Sequence, residues 1–89
     1  MAFSSTKLTE SPIAGFRLQV FDLNFASVTE GIVRTGMNQV LAAFYSPDTT
    51  DDHGVVQKNK SAASTTENGA VFISGVTSSD LGSLLVIGR

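Results

Sequence analysis

The residue types able to hold a metal ion cluster in one polar stretch, 46–54, SPDTTDDHG, which carries Asp48, Asp51, Asp52 and His53. Carboxylates suit calcium, and a histidine beside them suits zinc or manganese. The spacing matches no calcium loop, which needs ligands at alternate positions, a central glycine and a distant bidentate glutamate. The stretch therefore reads as a solvated acidic turn, with these four residues as weak metal candidates, and no cofactor is expected. Nucleophilic catalysis needs a base beside a hydroxyl or thiol. His53 is the single histidine and there is no cysteine. No Gly-x-Ser-x-Gly elbow, Gly-x-Gly-x-x-Gly run or phosphate loop occurs. Asp51 and Asp52 are adjacent, so their side chains diverge in an extended loop instead of converging as an acid–base pair. No enzymatic activity is expected. Asn59-Lys60-Ser61 matches the glycosylation sequon and is read as a chance match.

Composition narrows the remaining classes. Charged residues are 16% of the chain and the net charge is −2, which lacks the electrostatic footprint of a nucleic-acid binder. The longest apolar-rich stretch, Ile13 to Phe25, is broken by Arg17, Gln19, Asp22 and Asn24, so no membrane span is expected. The segment MAFSSTKLTESP has no apolar core of signal-peptide length, so no secretion is expected. Without cysteine, neither a disulfide nor a thiolate zinc site can brace the fold. For 89 residues, burial contributes on the order of 130 kcal/mol and ordering the chain costs on the order of 135 kcal/mol. So near a balance points to a partner surface as the extra source of stability.

The chain itself reads as strands. Residues 1–12 are rich in serine and threonine, end at Pro12 and hold only Phe3 and Leu8 as large apolar groups; they are expected to form an extended N-terminal arm before a single β domain at 13–89. In 16–25, FRLQVFDLNF, Phe16, Leu18 and Val20 alternate with polar residues, and then Phe21, Leu23 and Phe25 do so one step out of phase. Such a shift marks a bulge, a change of sheet or a strand with both faces partly buried. GIVRTG at 31–36 reads as a short strand. Residues 37–46, MNQVLAAFYS, fit a helical face through Val40, Leu41, Phe44 and Tyr45, but lie between strand-like segments without a cap and are read as strand. VVQKNK at 55–60, AVFISGV at 70–76 and GSLLVIG at 82–88 complete the set, with Asn68-Gly69 as a tight-turn signal. The expected fold is all-β, a small antiparallel sandwich or barrel of six or seven short strands. Apolar residues of the arm and its junction, Phe3, Leu8, Ile13 and Phe16, are the expected partner contacts, and Val86 and Ile87 are expected on an edge strand or in the core.

Taken whole, the Ser/Thr-rich arm, the cysteine-free β body and the closing pattern GAVFISGVTS at 69–78 with LLVIGR at 84–89 resemble the capsid decoration, or cement, proteins of tailed bacteriophages. The resemblance is one of style and composition over 13–89, and no functional residue carries over through a shared motif. It implies a virion structural protein on the outer capsid surface, bound to the major capsid protein at symmetry axes. It also implies a homo-oligomer, with a trimer as the family pattern, and no nucleic-acid or membrane partner. A neck, tail or fibre component of a phage, or a β module that binds carbohydrate or a receptor, are the alternatives.

Overall fold

A computed structural model describes residues 3–48, 54–78 and 80–89. The described residues form seven antiparallel strands in two sheets: β1 (Ser4–Ile13), β2 (Phe16–Asn24), β3 (Gly31–Arg34), β4 (Val40–Pro47), β5 (Val55–Ala62), β6 (Thr65–Ser74) and β7 (Leu81–Gly88). One sheet has the order β1-β2-β7-β4 and the other β3-β6-β5. Within 37–46, residues 40–46 are strand, because Ala43 to Ser46 pair in continuous register with Val86 to Ser83 on β7, and residues 37–39 belong to the β3–β4 connection. That pairing satisfies backbone groups that a helix would have satisfied internally. The accessible surface is 4882 Å², close to the roughly 5,000 Å² that chain length predicts for a compact fold.

The core lies between the sheets. Phe21, Leu23 and Phe25, Leu84 and Val86, and Val33, Val71 and Ile73 meet there with Val40, Met37 and Val76. The second phase of the β2 alternation therefore faces inward. The first phase, Phe16, Leu18 and Val20, faces away from the core. β2 runs through this switch without interruption along β7. The register shift lies in the neighbouring strand, between Lys7 and Thr9. Of the readings open for the phase shift, a strand with apolar residues on both faces is the one observed. Val86 is fully buried, and β7 lies inside its sheet, between β2 and β4.

Three expectations change. Residues 4–13 are extended, but they lie on their own chain: β1 pairs antiparallel along the whole of β2. The hairpin closes through Ala14 (φ 49°) and Gly15 (φ 86°), both left-handed, the backbone of a tight turn that matches strand twist. Phe3, expected to contact a partner, is partly buried against its own core: its ring centroid lies 4.8 Å from that of Phe25, and it rests on Gly31, where a Cβ would overlap the ring. Asn68-Gly69 does not turn the chain. The β5–β6 hairpin reverses at 63–64, with Ala62 paired to Thr65. Gly69 sits within β6 at φ 89°, and a Cβ there would meet the Met37 carbonyl. A left-handed Gly was legible in the sequence, but it accommodates a neighbouring strand connection instead of a reversal.

Candidate functional site

Outward positions of the β1-β2-β7-β4 sheet carry apolar side chains where water is the usual neighbour. In an antiparallel sheet with one solvated face, residues on that face are normally polar. Here Val20, Leu85 and Phe44 stand in one cross-strand row, and Leu18, Ile87 and Ala42 in the next. Phe16 and Ile13 pair beyond them, beside the hairpin turn. Phe44 is 60% exposed and Ile13 50%. On the far side the patch is bounded by a polar row, Thr6, Asp22, Ser83 and Ser46. Among these outward strand positions Asp22 is the one charged residue.

Charge is concentrated on the opposite side of the same hairpin. Glu10 accepts from Arg17 Nε at 2.8 Å and Nη2 at 3.0 Å, from Gln19 Nε2 at 2.7 Å and from Lys7 Nζ at 3.2 Å. Gln19, fully buried, also donates to the Thr35 carbonyl at 3.0 Å, and Arg17 Nη1 donates to the Gly36 carbonyl at 3.3 Å. The cluster thus ties β1, β2 and the β3–β4 connection together. The hydrogen-bonded Arg17 guanidinium, followed by Gln19 and Lys7, lowers the Glu10 carboxyl from 4.5 to about 2, and Glu10 in turn raises Arg17. These groups are partly exposed and serve as a surface clasp.

A second polar device joins the sheets. Asn59 sits on β5 at φ 59°. Its Oδ1 accepts from Val40 N at 2.9 Å and from Gly69 N at 3.1 Å, and its Nδ2 donates to the Val40 carbonyl at 2.9 Å. The side chain imitates a neighbouring peptide and continues the pairing of β4 where the strands part. Since the amide is consumed in this bridge, the sequon residue is a structural one in the fold. Near the β3 edge lies an open cleft of about 730 Å³, lined by Phe3, Val28, Ile32 and Phe72, with Glu30 as its charged member.

The residues expected from sequence divide accordingly. Leu8 (60% exposed), Ile13 and Phe16 are exposed on one hairpin, while Phe3 is partly buried, packed against the core and lining the open cleft. Asp48 is exposed at the end of β4, where its N–H donates to the Leu81 carbonyl at 2.7 Å. Asp51, Asp52 and His53 lie outside the described residues, and among the described residues no three His, Asp or Glu side chains come together. Sequence reasoning missed Phe44, Leu85 and Val20 as a joint surface. The signal was present in the β2 phase shift, but the row forms only once the register of β7 and β4 is known. Compared with family models, with curated proteins and with solved structures, the chain finds no match.

Proposed function

We propose that this chain is a virion structural protein that binds the outer surface of a phage capsid as a decoration protein, with the major capsid protein as its partner. The observation that carries the reading is the β1–β2 hairpin, which presents Leu8, Ile13 and Phe16 to solvent although its own core has no place for them. Exposed apolar groups clustered on a hairpin that is anchored in a four-stranded sheet are the anchors that binding surfaces use. Side chains, and not main-chain strand addition, supply the contact. β1 carries the bulge, Lys7, Glu10 and Pro12, the features that blunt an edge against further pairing. A shell that binds only the folded state also stabilises it by mass action.

The test is co-sedimentation with expanded phage shells assembled from a major capsid protein, with shell melting as a second readout. Deleting residues 1–12 is not a clean perturbation, because it removes β1 and Phe3 from the fold. Leu8→Lys is, since Leu8 is exposed. Wild-type protein should bind and raise the shell's melting temperature, and Leu8→Lys should weaken binding at least tenfold. Binding to tails and not to shells would overturn the reading, as would equal binding of Leu8→Lys.

A further inference from the structure

We infer that the outward face of the β1-β2-β7-β4 sheet is the contact between two copies of this chain, packed face to face about the row Val20, Leu85 and Phe44. The inference names a different occupant from the capsid reading: Ile13 and Phe16 border both surfaces, Leu8 serves the hairpin alone, and Val20, Leu85 and Phe44 serve the sheet face alone. Three observations carry it. First, the patch is continuous over three strands, and no described element covers it. Of the large hydrophobics exposed among the described residues, Ile13, Phe16 and Phe44 fall on this patch, and Leu81 lies on the same face beyond the polar row.

Second, the face is large enough. Four strands about 4.8 Å apart and eight residues at about 3.4 Å each span roughly 19 by 27 Å. Two such faces, the apolar rows together with their Ser/Thr margin on β1, bury about 1,000 Å², the size at which a specific interface begins. Sheets packed this way stand about 10 Å apart with interdigitating side chains, and Phe44, projecting at the edge strand β4, is shaped to fill such a layer.

Third, the charge pattern suits a copy of itself. A two-fold contact sets each patch against its own duplicate, so like charges repel. Asp22, at the border, is the single charge among the outward strand positions. Lys7, Glu10 and Arg17 are drawn to the other side and satisfied there. A partner of opposite charge would find nothing on this face to recognise, whereas a second copy meets an apolar surface equal to its own.

Sedimentation equilibrium of the full chain over a range of micromolar concentrations tests this. Wild type should be dimeric at the upper end, with a melting temperature that rises with concentration. Phe44→Glu, at an exposed position, should weaken self-association at least tenfold while keeping the β circular dichroism spectrum. Ala42→Arg, on the same face, should act likewise and covers the case in which one variant misfolds. Val55→Glu, exposed on the other sheet, should stay dimeric. A wild type that is monomeric throughout overturns the inference. So does a Phe44→Glu chain that dimerises unchanged. Should wild type be monomeric while Phe44→Glu loses shell binding, the face belongs to the shell, and only the self-association is refuted.

Discussion

Replacing Asn59 tests the way the two sheets are joined. In wild type its amide makes three hydrogen bonds: to Val40 N, to the Val40 carbonyl and to Gly69 N. Val40 is fully buried and Gly69 is buried, so Asn59→Ala leaves backbone groups without these partners at a cost of about 1–3 kcal/mol each. If water reaches one of the three, the loss from hydrogen bonding is about 2–6 kcal/mol. A second effect adds to it. Asn59 has φ 59°, a region that asparagine tolerates and that costs alanine about 1–2 kcal/mol. The expected loss for Asn59→Ala is therefore about 3–8 kcal/mol, against a total stability of roughly 4–13 kcal/mol for a chain of this length. Asn59→Gly separates the two effects. It keeps the left-handed backbone free of strain and loses the same bonds, so it should lie about 1 kcal/mol above alanine. The chain has no tryptophan and one tyrosine, so urea unfolding followed by far-ultraviolet circular dichroism is the suitable assay. An Asn59→Ala protein within 1 kcal/mol of wild type would refute the bridge. A glycine variant no more stable than alanine would refute the backbone account.

Two further perturbations address the β1–β2 hairpin. Ala14 occupies a left-handed turn position at φ 49°, so Ala14→Asn should stabilise the fold by about 1 kcal/mol; an unchanged or lower urea midpoint would count against the turn geometry. The Glu10 carboxyl is lowered in the fold from 4.5 to about 2, chiefly by Arg17. A depressed acid adds stability above its unfolded value, and that contribution fades as pH falls from about 4.5 towards about 2. Glu10→Gln should therefore be less stable at neutral pH and show a shallower acid loss over that window, and parallel curves for the two proteins would exclude Glu10 as a contributor.

Legibility in the sequence followed the range of the interactions. β2, β3 and β7 were readable because apolar alternation and flanking turn residues are local signals. β1 was not. All of its residues are exposed, and serine, threonine, lysine and glutamate there give no apolar period; it is a strand because the Ala14-Gly15 turn folds it back onto β2. Asn68-Gly69 misled for the same reason in reverse. Its left-handed preference is intrinsic, but whether the chain reverses there depends on the Met37 carbonyl that packs against Gly69 and on Asn59, both distant in sequence. Of the four apolar residues singled out at the arm and its junction, Leu8, Ile13 and Phe16 are exposed. Phe3 has the same character but lies partly buried against the core, since only the placement of Gly31 decides that a ring fits there.

The phase shift in β2 links these observations. Binary patterning is usually read as a record of one core, with apolar residues inward and polar residues outward. In this chain both phases are apolar, and β7 repeats the feature, with Leu84 and Val86 inward and Leu85 and Ile87 outward. Meanwhile the polar residues of the hairpin, Glu10, Arg17 and Gln19, cluster on the side that faces the β3–β4 connection. A monomer selected for solubility alone gains nothing from this inversion, because outward leucine and phenylalanine lower solubility without adding internal contacts. The pattern becomes economical once the outward phase is counted as a second core, completed by another surface. On that view the near balance of burial against ordering is an accounting of half a structure: the residues missing from the chain's own interior are Val20, Leu85 and Phe44, and they stand ready on its face.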